Sequence, residues 1–317
     1  MMDIIIMGTS KSGKTSIKRV VFDKMSPHES VFNEPTTQID SLQVDNLGYA
    51  KLTVTEFPSN FIGEKGTAMD LNYFQTCGLI IYVFDSLDTS SQPFDYFKDN
   101  VFPLLLKHPD ISLAIFTHKT DSTNINPSEL SKQKGEIQTR FKDILSKCTH
   151  DINVNFYSTS IYDYSLFETF SKIFQKMIPQ NNLLSSLLDH LTFSCRFEKA
   201  YLFDVFNKIY LAIDSSPMEA QTYEICSDMI DVVLDMSGIY GDDINTDAYF
   251  DDNSTSLINI NNTERSENSK SVLYLRFIDS NLALISIINE ENFERPHILD
   301  YNIKLFRNAV KKILNKS

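Results

Sequence analysis

Eight consecutive residues, Gly8-Thr9-Ser10-Lys11-Ser12-Gly13-Lys14-Thr15, follow the pattern GxxxxGK[ST]. They come directly after the apolar run Ile4, Ile5, Ile6, Met7 and before an amphipathic stretch from Thr15 to Lys24, so strand, loop and helix succeed one another as phosphate chemistry requires. Glycines let the backbone curl so that several N–H groups and a helix N-terminus face one anion. The candidate phosphate cradle is Gly8, Ser10, Lys11, Ser12, Gly13, Lys14, Thr15 and Ser16, with Lys14 as the point charge and the Thr15 hydroxyl as a Mg²⁺ ligand.

A phosphate loop by itself does not separate adenine from guanine. That choice falls to Thr117-His118-Lys119-Thr120-Asp121, which resembles the guanine signature NKxD with His118 in the Asn position. A carboxylate at Asp121 can accept two hydrogen bonds from the N1–H and N2–H₂ edge that only guanine offers, and the Lys119 stem can lie over the base. Ser158-Thr159-Ser160-Ile161 follows the next strand, where a backbone N–H of Ser160 or Ile161 would meet the guanine oxygen. The cofactors implied are GTP or GDP with Mg²⁺.

Thr36, in Asn33-Glu34-Pro35-Thr36-Thr37, is the candidate second hydroxyl for Mg²⁺ and the γ-phosphate. Where DxxG would stand, the chain reads Glu56-Phe57-Pro58-Ser59-Asn60. Glu56 is longer than the usual outer-sphere Asp, Ser59 replaces the glycine that senses the γ-phosphate, and Asn60 holds the position often given to a water-orienting Gln. No arginine finger is identifiable in the chain, and such a residue alone is worth ~10³ to 10⁵ in rate. Slow intrinsic hydrolysis is expected, with no catalytic residue assigned beyond that position of Asn60.

The elements that must hold these residues are legible as an alternation. Apolar runs at Asp3 to Met7, Lys51 to Glu56, Leu79 to Asp85, Ser112 to Thr117 and Asn153 to Ser158 read as strands. Helical patterns lie between them, at Phe94 to Lys107, Ser128 to Lys147 and Ser165 to Ile178, as in a parallel α/β sheet covered by helices. Pro179 stops the last helix, so the 317 residues are read as a domain over 1–179 and a second over 180–317. The second begins with a helical stretch, two adjacent strands (Lys199 to Asp204 and Lys208 to Asp214) and a long helix from Pro217 to about Ser237; more strands and a final helix follow. This order predicts an α+β layer. The acidic, Asn- and Ser-rich stretch 241–269 shows no periodicity and reads as a mobile loop.

A net charge of −13 argues against sequence-independent nucleic-acid binding and against direct docking on an anionic membrane. The four cysteines form no CxxC pair and the histidines no HExxH, against structural zinc or a disulfide framework. No signal peptide, lipidation signal or apolar run of ~18 residues is read in the sequence, so a cytoplasmic protein is expected, without direct membrane insertion.

Taken with Val20-Val21-Phe22, Lys24-Met25-Ser26-Pro27, Thr159-Ser160-Ile161-Tyr162-Asp163, Glu198 to Val205, Asp214-Ser215-Ser216-Pro217, Met229 to Val233 and Asn292-Phe293-Glu294-Arg295, these motifs make the chain similar to the Rag GTPases. The resemblance is to the RagC/RagD type, which includes the fungal Gtr proteins of that branch, and His118 is typical of it. It implies a Ras-like P-loop GTPase domain followed by a roadblock (longin-like) α+β domain that dimerises with a RagA/RagB-type GTPase. It also implies a scaffold complex on the lysosome or vacuole, recruitment of the target-of-rapamycin kinase complex in amino-acid signalling, an external GTPase-activating protein, and a GDP form that is the active one. The second switch departs from the family at Glu56, Ser59 and Asn60. A guanine-nucleotide-binding scaffold that does not hydrolyse is therefore the second reading, and an ATP-dependent small-molecule kinase is the third.

Overall fold

The computed structural model describes residues 2–44, 51–61, 73–88, 90–122, 127–148, 152–216, 220–240, 255–261, 270–279, 281–293 and 296–314. It divides into two compact units, the first ending at Thr169 and the second beginning at Phe170.

The first unit is built on β1 (Met2–Gly8). Its Ile4, Ile5, Ile6 and Met7 are all buried, as a strand covered on both faces requires. β3 (Leu52–Glu56) and β4 (Cys77–Asp85) flank it in parallel. β5 (Ser112–His118) and β6 (Val154–Thr159) extend the parallel sheet beyond β4, and β2 (Asp40–Val44) closes the other edge antiparallel to β3. The order is β2-β3-β1-β4-β5-β6. Strand order reverses at β1, with β3 on one side and β4 on the other, which opens a crevice beyond the carboxyl end of β1, where ligands of such sheets bind.

Helices α1 (Lys14–Phe22), α2 (Gln92–Tyr96), α3 (Phe102–Lys107) and α4 (Pro127–Leu145) accompany the sheet, and the division between the units falls within α5 (Ser165–Met177). The sequence predicts one helix over 94–107. Instead, a π turn at Phe97–Val101 joins α2 to α3. Pro103 has no N–H to return to the carbonyl of Asp99, so the ladder loosens there. β2 is not foreseen in the sequence, because its exposed Asp40, Ser41 and Gln43 carry no core pattern; its ladder comes from β3.

The second unit is an antiparallel sheet in the order β8-β7-β11-β10-β9. The hairpin β7 (Phe197–Asp204) and β8 (Ile209–Ile213) follows α6 (Asn181–Cys195), and α7 (Ala220–Tyr240) comes next. Then come β9 (Thr255–Asn261), β10 (Lys270–Asp279), β11 (Leu282–Asn289), the short α8 (Glu290–Phe293) and α9 (Pro296–Leu314). Side chains alternate across β7. Ala200 and Leu202 pack with Leu184, Leu188 and Leu191 of α6 and Leu299, Ile303 and Phe306 of α9. Tyr201 and Phe203 project oppositely, and the Phe203 ring lies 5.8 Å from Tyr223 of α7.

The mobile-loop reading of 241–269 is corrected by β9. Thr255–Asn261 is a strand paired antiparallel to β10, from Thr255 opposite Arg276 to Asn261 opposite Lys270. Its Leu257 and Ile258 are largely exposed. Its order comes from the β10 ladder and not from burial of its own side chains, which is why the composition hid it. The rest of that stretch, 241–254 and 262–269, lies outside the described residues, as do Pro217, Glu294 and Arg295.

Phe141 of α4 anchors the core of the first unit: its buried ring lies within 6.3 Å of those of Tyr82, Phe84, Phe94, Phe97 and Phe156. Phe141→Ala is expected to cost about 3–5 kcal/mol, and Phe141→Leu markedly less, read as denaturant midpoints at unchanged slope.

Candidate functional site

Beyond the carboxyl end of β1 lies a cleft of about 540 Å³, walled by the loop Ser10 to Ser16, the segment Asn33 to Thr36 with Ser30 and Val31, Glu56 and Ser59, His118, Lys119 and Asp121, and Ile161 with Tyr162.

Two glycines give the first loop its course. At Gly8, with φ +155°, a Cβ would lie 2.0 Å from the Val83 carbonyl oxygen on β4; at Gly13, with φ +96°, it would lie 2.5 Å from Cδ2 of His118. The helix that follows therefore starts directly against the base-side loop. Lys14 Nζ donates to the carbonyls of Gly8 (3.0 Å) and Thr9 (2.8 Å). Burial pulls its pKa down from 10.5 to about 8, a shift the Glu56 carboxylate opposes. Beside it the Ser12 hydroxyl is buried with no hydrogen-bond partner, an orphaned polar group inside a loop shaped for an anion.

Three oxygens meet at the next turn of the cleft. The Thr15 hydroxyl donates to Glu56 Oε1 at 2.6 Å, the Thr36 hydroxyl donates to the same oxygen at 2.8 Å, and the two hydroxyls are 2.8 Å apart. Glu56 is wholly buried at the end of β3. An all-oxygen set of two hydroxyls and a carboxylate suits a hard cation such as Mg²⁺. Among the described residues no group of three or more His, Cys, Asp and Glu is placed to hold a metal ion. Arg19 on α1 donates to Asn33 Oδ1 at 2.8 Å, which ties the segment carrying Thr36 to the helix carrying Thr15.

The base-side wall is braced from behind. His118 is buried, and its Nδ1 shares a hydrogen bond of 2.9 Å with the Thr159 hydroxyl. Burial, with Lys119 adding to it, lowers its pKa from 6.5 to about 4 against the pull of Asp121 and Asp85, so the ring is neutral at physiological pH. Lys119, with φ +63°, donates from Nζ to the Lys11 carbonyl at 2.8 Å and to Asp85 Oδ2 at 2.7 Å. The Ser160 hydroxyl donates to Asp121 Oδ1 at 2.5 Å, which holds that carboxylate at the cleft, while the Ser160 N–H goes to the Ser165 hydroxyl at 3.0 Å.

The structure thus gathers Ser10 to Ser16, Thr36, Glu56, His118, Lys119, Asp121 and Ile161 around one cleft. Gly8 forms the turn beneath it. Ser160 does not line it and acts as the brace of Asp121, and Asn60 is exposed and outside the lining while its neighbour Ser59 is part of it. Sequence reasoning missed Val31 and Tyr162, apolar surfaces on the wall, and the buried Lys18 below Glu56. Tyr162 lies in the quoted loop after β6 and was within reach of that reading. Lys18 was not, because nothing in its spacing marks it as more than a surface position of α1.

This sheet, with a phosphate loop after β1 and base-side loops after β5 and β6, defines a Ras-like G-protein class. A family model for the Gtr1/RagA G protein conserved region matches residues 3–230. Ras-related GTP-binding protein C of Homo sapiens is 38% identical over 312 residues, covering 98% of this chain and 76% of that protein. GTP-binding protein gtr2 of Schizosaccharomyces pombe is 35% identical over 318 residues, covering 98% of both. Ras-related GTP-binding protein A of Dictyostelium discoideum is 23% identical over 204 residues, 63% of this chain and 66% of that protein. The chain belongs to the Rag family of G proteins, of the RagC/RagD and Gtr2 type.

A testable consequence lies in His118. The unfolded ring takes up a proton near pH 6.5 and the folded one only near 4, so protons favour the unfolded chain between those values and stability falls as pH drops through that window. His118→Asn is expected to remove this part of the acid sensitivity, on the order of 3 kcal/mol by pH 4. Urea titrations of both chains from pH 7.5 to 4 would read it; parallel curves would refute the buried neutral imidazole.

Proposed function

We propose that this protein is a guanine-nucleotide switch that alternates between GTP and GDP in the cleft and hydrolyses GTP slowly without help. The observation that carries the reading is Asp121, held at the cleft by Ser160, beside His118 and Lys119 that brace the phosphate loop. Its carboxylate matches the donor edge of guanine, and adenine offers no such edge. Lys14 and the N–H groups of Ser10 to Ser16 would hold the phosphates, the Ile161 N–H would meet the guanine oxygen, and Thr15 and Thr36 would ligate Mg²⁺ with Glu56 in its outer sphere. Bound Mg²⁺ would neutralise phosphate charge. Slow turnover is read from the side chains at hand: Asn60 stands outside the cleft, and among the described residues that line it there is neither a glutamine nor an arginine.

The second unit, proposed as the roadblock-like half of a 1–179/180–317 organisation, would pair with a RagA/RagB-type GTPase. Ile225, Val232, Met236 and Ile239 are exposed along one side of α7, and β9, the last strand of the sheet among the described residues, exposes Leu257 and Ile258; either apolar surface is of the kind a second α+β layer covers. Through this heterodimer the protein would join a scaffold on the lysosome or vacuole, answer to an activating protein and signal amino-acid supply to the target-of-rapamycin complex. Among the described residues no helix is long and apolar enough to cross a membrane.

One observation favours the non-hydrolysing scaffold as a second reading. Glu56 already occupies both threonine hydroxyls, so the γ-phosphate would have to displace it to close Thr36. Single-turnover GTP cleavage with the partner and an activating protein separates the two: acceleration supports the switch, and none supports the scaffold.

Binding of GTP, GDP and ATP with Mg²⁺ is the first test. Guanine preference is expected, and Asp121→Ala should weaken it by about 3 kcal/mol or more, the loss of two charge-assisted hydrogen bonds. Preference for ATP would refute the assignment. Val232→Asp with Met236→Asp should abolish heterodimer formation while guanine binding persists, read by co-purification and nucleotide content.

A further inference from the structure

We propose that Lys18 is a built-in counter-ion of Glu56, a positioning residue that makes nucleotide retention in this chain depend only weakly on Mg²⁺. The inference rests on the guanine-nucleotide reading of the cleft.

Lys18 stands three residues after Thr15 and so shares its face of α1. Its ammonium group is almost wholly buried, where an unpaired charge is untenable. Two carboxylates answer it: Asp40 on β2, which accepts its hydrogen bond, and Glu56, whose Oε2 lies 3.6 Å away. Glu56 needs this neighbour more than Asp40 does. Asp40 is half-exposed and water can solvate it, whereas Glu56 is fully buried. Its Oε1 takes the Thr15 and Thr36 hydroxyls, but its Oε2 has no hydrogen bond at all. Lys14, the other cation whose charge Glu56 affects, spends its donors on the Gly8 and Thr9 carbonyls.

A buried carboxylate balanced only by the cation in the cleft would couple metal to nucleotide. Here the longer glutamate reaches the hydroxyls directly, and a lysine below balances its charge whether or not a cation is bound. The structure therefore closes Thr15, Thr36 and Glu56 on one another with their charge already compensated. A divalent cation gains less by entering, and its removal leaves no uncompensated buried charge behind. Asp40 sets the balance by drawing part of the Lys18 charge away from Glu56.

The test uses the full chain loaded with fluorescently labelled GDP, its dissociation rate followed against free Mg²⁺ from chelator to saturation. The wild type should show a shallow dependence. Lys18→Met should lower the Mg²⁺ midpoint by about tenfold and make chelator strongly accelerate release, the size of effect that outer-sphere partners have on metal sites. Lys18→Arg should restore the wild-type curve. Asp40→Asn, at a half-exposed position that does not endanger folding, should shift the midpoint the opposite way. In a Glu56→Gln background the Lys18→Met shift should vanish. An unmoved midpoint in Lys18→Met, a shift that persists with Gln at position 56, or a downward shift in Asp40→Asn would each overturn the inference while leaving nucleotide binding intact. A wild-type chain that holds no guanine nucleotide would overturn the functional reading itself, and this inference with it.

Discussion

The missing side chain at position 13 lets the phosphate loop touch the base-reading loop. With no Cβ there, α1 begins directly against the His118 ring, and that ring is fixed from behind by Thr159. Lys119 then reaches across to the Lys11 carbonyl and Asp85, so loops from the ends of β1, β4 and β5 are joined by one ammonium group. Gly8 performs the matching service beneath, where the chain passes within van der Waals reach of the Val83 carbonyl. The wall on which Asp121 sits depends on these close approaches, and a neutral imidazole is the form that can occupy so dry a position.

What the sequence discloses divides along a physical line. Ile4 to Met7 and Leu79 to Asp85 announce buried parallel strands, because burial on both faces leaves a continuous apolar run. The phosphate loop announces itself because glycine and lysine are needed at set intervals. β2 and β9 stay hidden: each is an edge strand whose order comes from hydrogen bonds to a neighbour, and Asp40-Ser41 and Asn259-Ile260-Asn261 carry no pattern that records a ladder. Lys18 is hidden for a related reason. A lysine on a helix is usually solvated, and only the positions of Asp40 and Glu56, 22 and 38 residues away, turn it into a buried ion. Ser160 shows the reverse case, since its place in the loop was legible and its task, bracing Asp121, required coordinates.

The second unit follows a simpler logic. The stripe Leu184, Leu188, Leu191 and Cys195 on α6 meets Leu299, Ile303, Phe306 and Val310 on α9, and both lie over the face of the sheet that Ala200, Leu202 and Leu284 supply. α7 covers the opposite face with Tyr223, Cys226, Met229 and Ile230, while Val232, Met236 and Ile239 on its other side are exposed. Burial here serves architecture, and its aromatic set Tyr201, Phe203, Tyr210 and Tyr223 is core rather than ligand pocket.

β9 also bears on how a cell must produce this chain. Thr-Ser-Leu-Ile-Asn-Ile-Asn carries no charge and no proline, and among the described residues it is the last strand of its sheet, with Leu257 and Ile258 exposed. Such a segment pairs with whatever extended strand it meets, its own copies included. Copies made in excess of whatever covers this edge would be a burden on quality control, a liability set by seven uncharged residues far in sequence from the phosphate loop.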